Sequence, residues 1–214
     1  MNFTSHNKLL ILGFGGHARS AADLALACGY TELLFVDANA KLGESFLGHP
    51  VMPDFGNLDD SWCDAFAASG DGRQRCLQCA AIDRMGLNLV SLVSPSASVG
   101  VGGVIGAGCF VGHHAHVGPM ATIGRACIIN TGAIVEHECA VGDYAHVSIN
   151  ATLAGRSRLG DLVFLGAGAT VIDGISIDER VTIGAGSVVI DPIVEPGTYV
   201  GIPARMVHKL GGLD

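Results

Sequence analysis

From Val93 to Val194 the hydrophobic positions recur with a period of six. Val93, Val99, Ile105, Val111, Val117, Ile123, Ile129, Val135, Val141, Val147, Leu153, Leu159, Leu165, Val171, Ile177, Ile183 and Val189 are all aliphatic, with no insertion between them. The next residue is Gly at 100, 106, 112, 118, 124, 142, 160, 166 and 184. Four residues after each aliphatic comes a second inward candidate, and from Ala97 to Ser157 it is always small: Ala, Gly, Cys or Ser. A six-residue period suits one short strand plus a turn, and repeated hexapeptides are the signature of a parallel β-helix. Three hexads per triangular coil place residues 18 apart in stacked ladders. Seventeen hexads then make about 5.7 coils, roughly 27 Å at ~4.8 Å per strand. Such a solenoid buries its core only by stacking, and its flat outer faces tend to pack on other copies.

Ahead of the repeat the period changes. Lys8 to Leu12 reads as a short buried strand, Gly13-Phe14-Gly15-Gly16-His17 as a turn, Ala18 to Cys28 as a helix, and Leu33 to Val36 as a second strand ending at Asp37. This strand, glycine turn, helix, strand and acid order is that of a nucleotide-binding unit, in which backbone N–H groups at the helix start attract phosphate. Asp37 follows Gly13 near the spacing at which an acid reaches a ribose hydroxyl. The third glycine of the fingerprint is out of place, so a structural turn of an α/β domain stands beside that reading. Asp59 to Phe66 and Arg73 to Met85 are predicted helices, with Ser69-Gly70-Asp71-Gly72 a turn and Leu87 to Val93 the strand leading into the repeat. The expected organisation is a small Rossmann-like α/β domain over residues 1–88 and a β-helix with a C-terminal tail over 89–214.

Composition narrows the partners. Twelve basic against twenty acidic residues give a net charge of −8. With no basic run, this argues against a duplex nucleic-acid partner, whose affinity comes largely from phosphate neutralisation. A hydrophobic share of 49% excludes disorder. No apolar stretch approaches the roughly 20 residues of a membrane span, and Met1 to Lys8 has no secretory pattern. Seven cysteines without a paired framework read as reduced thiols in a cytoplasm.

The repeat departs from its own rule where Asn130, Glu136, Ser148 and Ala154 replace the second-place Gly. Packing does not require the acid–His–acid run Glu136-His137-Glu138. His137, with a reference pKa near neutrality, is the natural general base. A neighbouring carboxylate accepting its Nδ1–H would hold the tautomer and leave Nε2 to take a proton. Gly155 stands three hexads on, one coil above the imidazole, with space and an N–H for the oxyanion of a thioester carbonyl. A solvated polar corner is the alternative. His113, His114 and His116 resemble a metal cluster. On a strand, however, adjacent side chains alternate in face and zinc normally takes a third protein ligand, so no metal is expected. Cys76 and Cys79 fall on a helix without a second pair. Cys109, Cys127 and Cys139 occupy the inward small place, which makes them core residues. His146 either lines the same groove as His137 or is simply exposed.

With the hexads, Asn130, Glu136-His137-Glu138, His146-Val147-Ser148 and the tail Pro196-Gly197…Gly201-x-Pro203-Ala204-Arg205, the chain resembles the bacterial hexapeptide-repeat acyltransferases. Its front domain makes it similar to the sugar O/N-acyltransferases of the NeuD and PglD type, and most of all to UDP-4-amino-sugar N-acetyltransferases of the bacillosamine pathway. That resemblance implies left-handed coils and a homotrimer with sites between neighbouring prisms. It also implies direct transfer from acetyl-CoA, without metal, to the 4-amino group of a UDP-4-amino-4,6-dideoxy-sugar. It assigns proton abstraction to His137 with Glu138, alongside Asn130, and the UDP portion to Phe14, Gly15, Gly16, His17, Asp37, Ala38 and Gly70. His146, Gly155 and Ala167 would face the acetyl-CoA arm. Ala38 stands where relatives carry a second acid after Asp37, and Ser94 where many carry His before Pro. An O-acetyltransferase of sialic acid or a capsule sugar, and a non-catalytic trimeric scaffold that binds sugar nucleotides, remain the other readings.

Overall fold

The computed structural model describes residues 7–41, 43–56, 58 and 62–209, and the chain divides into two compact units, Met1–Pro95 and Ser96–Asp214. In the first unit, β1 (Lys8–Leu12) and β2 (Glu32–Val36) bury four consecutive residues each, as strands covered on both faces do. Helix α1 (Gly16–Ala27) connects them and buries Ala18, Ala21, Ala22, Leu24 and Ala25, an alanine-rich stripe that permits close approach. A hairpin of β3 (Ser45–Phe46) and β4 (His49–Met52) follows, then β5 (Asp64–Ala67), α2 (Gly72–Arg84) and β6 (Asn88–Leu89). The sheet order is β3-β4-β2-β1-β5-β6, parallel except for β3. No helix among the described residues is long and apolar enough to cross a membrane.

Two expectations fail in this unit. Asp64, Ala65 and Phe66 are strand, not helix, and residues 59–61 of that expected helix lie outside the described residues. All four residues of β5 are buried beside β1, a tertiary environment that four residues cannot announce through their period. Leu87 to Val93 is two strands, Asn88–Leu89 and Leu92–Val93, rather than one.

The second unit is a parallel β-helix. Each short strand pairs with the strand three hexads further on, as His116 with Ile134, Ile134 with Thr152 and Thr152 with Thr170, so three hexads make one coil. The sixth-residue aliphatics from Val111 to Val189 are all buried, and so are the small residues from Cys109 to Ser157. Val99 and Ile105, which open the solenoid, are exposed and half-buried. Every sixth residue from Gly102 to Gly186 turns the chain with φ between 50° and 75°. At a residue with a side chain this left-handed conformation costs roughly 1–2 kcal/mol, so it persists because ladder pairing on both sides holds it.

The inward thiols have a specific duty. Cys109, Cys127 and Cys139 donate S–H to the carbonyls of Gly124, Gly142 and Ala154 at 3.0, 3.0 and 3.1 Å. Ser157 donates to Ile172 in the same register at 2.9 Å. Each closes a part-buried carbonyl contact with the following coil. Cys127→Ala, which strands the Gly142 carbonyl, is expected to destabilise by about 1–2 kcal/mol, whereas Cys127→Ser keeps a donor and loses less. Thermal unfolding of the two variants side by side checks this; equal midpoints would refute the role of the S–H.

Candidate active site

The strand Ile134–Val135 delivers the chain to a corner at which Glu136 takes the usual place of Gly. Glu136 Oε2 accepts from the His137 N–H at 3.3 Å. Glu138 is the left-handed turn residue, φ 59°, and this bend carries its carboxylate back beside the preceding ring. His137 Nδ1 donates to Glu138 Oε2 at 3.1 Å, with the imidazole 45% exposed. Pairing at Nδ1 leaves the Nε2 lone pair available. One coil on, a Cβ built at Gly155 would lie 2.6 Å from His137 Cε1 and nearer still to Nε2. The ring therefore lies against Gly155 in space that only a missing side chain provides. Arg156 donates its N–H to the His137 carbonyl at 2.9 Å, and its guanidinium is ion-paired with Asp173. That carboxylate pushes the Arg156 pKa up further, and the charge of Glu138 adds to the shift. Burial pushes up the thiol of Cys139, so it is a core donor rather than a nucleophile.

Asn130 and His146 form a different pair. Asn130 Nδ2 donates to His146 Nε2 at 3.2 Å. The His146 ring meets Phe164 edge-on at 5.0 Å between centroids. Asn130 also caps its own turn, accepting from the Thr131 N–H at 2.8 Å. No hydrogen bond among the described residues joins Asn130 to His137. Ala167 is exposed and sits in the corner ladder of Ile149, whose carbonyl accepts from Gly168, not in that of Gly155.

In the first unit, Phe14, Gly15, Gly16 and His17 follow β1, Asp37 and Ala38 follow β2, and Gly70 follows β5. All seven thus lie beyond the carboxyl ends of three adjacent parallel strands, where open α/β sheets bind ligands. Asp37 ties the first two loops together. Its Oδ2 accepts from the Phe14 N–H at 2.9 Å and its Oδ1 from the Asn39 N–H at 2.9 Å. Gly15, the N-cap of α1, offers no side-chain cap, whereas Asp71 caps α2 by accepting from the Gln74 N–H. The first turn of α1 thus receives no side-chain cap, and helix starts of this kind attract anions. Asp37 lines two cavities, one of about 240 Å³ with Phe14, Gly15 and Lys41 and one of about 440 Å³ with Ala38, Asp54 and Gln74. His17 tilts against Phe66, 6.4 Å between centroids.

Sequence reasoning overlooked Arg75, Gln78, Arg156 and Asp173. Arg75 is fully buried and donates to the carbonyls of Ser69 and Gly70 at 2.8 and 3.2 Å, which shapes the loop that carries Gly70. Gln78 Oε1 accepts from Ser69 at 2.9 Å, and its Nε2 lies against Gly13. The signal for Arg75 was its spacing from Cys79 and Ile82, the buried stripe of α2; for Asp173, its offset of one coil from Gly155. Among the described residues no group of three or more His, Cys, Asp or Glu could hold a metal ion. Cys76 and Cys79 lie within α2 and form no disulfide among the described residues.

A sequence profile described as the PglD N-terminal domain matches residues 8–77. The acetyltransferase domain of PglB from Neisseria gonorrhoeae FA1090 is 31% identical, with a TM-score of 0.89 over 94% of this chain and 100% of its own. It has also been solved in complex with acetyl coenzyme A. PerB from Caulobacter crescentus, solved with CoA and GDP-perosamine, is 31% identical, with a TM-score of 0.82 over 93% of this chain and 96% of its own. No curated protein sequence matches.

Proposed function

Because this chain belongs to the hexapeptide-repeat sugar N-acetyltransferases, we propose that it transfers the acetyl group of acetyl-CoA to the 4-amino group of a UDP-4-amino-4,6-dideoxy-sugar. The observation that carries the reading is the ring of His137, held at Nδ1 by Glu138 and lying against the backbone of Gly155. The sugar amine attacks the thioester carbonyl, and the new C–N bond places negative charge on the former carbonyl oxygen. The Gly155 N–H stabilises that oxyanion. His137 Nε2 takes the proton lost by the nitrogen, and Glu138 steadies the imidazolium. The tetrahedral intermediate collapses with cleavage of the C–S bond, and the departing thiolate receives the proton from His137. Holding both substrates in line contributes up to about 7–11 kcal/mol toward the barrier. Asp37, Phe14 to His17, Ala38 and Gly70 hold the nucleotide, with the diphosphate at the open end of α1. Asn130, His146 and Ala167 line the acetyl-CoA side of a homotrimer.

The resemblance to the PglD type implies UDP, while a relative bound to GDP-perosamine favours a 4-amino sugar on guanosine diphosphate as the second reading. Thiol release from acetyl-CoA, measured with matched UDP-4-amino, GDP-4-amino and 4-hydroxyl sugars, separates them. Fastest turnover is expected with the UDP-4-amino sugar. Preference for the guanosine substrate would overturn the nucleotide assignment, and equal use of the hydroxyl sugar would overturn N-transfer.

A further inference from the structure

The ladder of the solenoid supplies no acceptor to the N–H two residues beyond the buried aliphatic, a position where Pro119 has no N–H at all. The N–H before it pairs with the next coil, as Gly124 with Val141, and the N–H after it with the previous coil, as Ala126 with Ala107. Among the described residues, several corners close the remaining N–H with a side chain. Asp143 Oδ1 accepts from Arg125 at 2.7 Å and Asp161 Oδ1 from Asp143 at 2.8 Å. Each of these carboxylates reaches in from one coil ahead, through the space at Gly124 or Gly142 where a Cβ would collide with it. Asn130 and Glu136 instead close the N–H of their own following residue. Where no acceptor is supplied, as at Ile149 and Ala167, the residue is exposed to water.

Gly155 follows neither pattern. It is buried, yet its N–H has no acceptor among the described residues, and buried N–H groups are rarely left so without a reason. Asp173 stands one coil ahead, the offset at which Asp143 and Asp161 close their corners. Two substitutions keep it away. Ala154 replaces the Gly, so a methyl group fills the passage, and Arg156 takes the Asp173 carboxylate in an ion pair. Cys139 completes the arrangement by donating to the Ala154 carbonyl. N–H and C=O point oppositely across a trans peptide, so drawing that carbonyl inward turns the Gly155 N–H outward.

We propose that Ala154 and Arg156 are positioning residues which hold the Asp173 carboxylate off the Gly155 N–H, leaving that donor open to the acetyl oxygen. This rests on the function proposed above. A carboxylate bound there would occupy the donor and repel the oxyanion as well.

The test is the pair A154G/R156M and A154G/R156M/D173A, compared with the parent in single-turnover and steady-state acetyl transfer and by crystallography. In the first variant Asp173 Oδ1 is expected within hydrogen-bonding distance of Gly155 N, with kcat lowered on the order of 10²-fold, as for loss of one oxyanion donor. Removing the carboxylate in the second variant restores kcat, a recovery that a merely structural defect, or a lost contact between Arg156 and CoA, would not give. An unchanged kcat in the first variant, no recovery in the second, or a carboxylate that stays away from Gly155 overturns the proposal. A parent enzyme inactive on every amino sugar would defeat the function proposed above, while the carboxylate's place in the variant crystals would still decide this one.

Discussion

His137→Ala is expected to lower kcat by about 10²–10⁴-fold, the range for removal of a positioned general base, or about 2.7–5.4 kcal/mol at 1.36 kcal/mol per decade. The imidazole is half exposed and its partner Glu138 more so, so their pairing contributes little to folding. The variant should therefore unfold at nearly the parent temperature and bind acetyl-CoA with a similar Kd. That combination, turnover lost with fold and cosubstrate binding kept, separates a chemical role from a structural one. Steady-state kinetics with calorimetry on the same preparation reads both. A loss of less than tenfold would remove His137 from the mechanism.

Gly155→Val tests the same geometry from the opposite side. A Cβ at this position meets the His137 ring well inside van der Waals contact, so the imidazole must swing away and its bond to Glu138 breaks. The new side chain also covers the N–H that receives the oxyanion. Loss of one such donor alone is worth about 10²–10³ in kcat, and displacement of the base brings the expected loss to at least that size. Because the ring that gives way is half exposed, the coil itself has little reason to melt. Normal turnover in Gly155→Val would refute both the base and the oxyanion donor.

Much of this geometry was legible because a solenoid turns sequence separation into spatial adjacency. Given the period of six, an offset of three hexads means one coil, and the sequence alone puts Gly155 beside His137. The buried aliphatics and thiols follow from the same arithmetic. The first unit had only local signals. Lys8–Leu12, the glycine turn and Glu32–Val36 were readable as uninterrupted apolar runs around a helix, whereas Asp64–Ala67 is a strand only because β1 and β6 flank it. Arg75 was hidden by its charge, since nothing in a helical pattern says that an arginine on the buried stripe will find two carbonyls. The ion pair of Arg156 with Asp173 was hidden differently. Its register was visible, but which acceptor or donor each side chain would choose depends on a methyl group at Ala154.

Catalytic spacing in such a molecule is a matter of phase. Removal of a whole coil beyond residue 173 would leave every earlier side chain at its former corner and the chemistry where it was. A single residue lost between Glu138 and Ala154 would instead move Gly155 off its corner and bring Arg156 against the imidazole. Changes of eighteen residues beyond Asp173 are expected to keep activity, whereas a one-residue slip inside that interval has no neutral outcome.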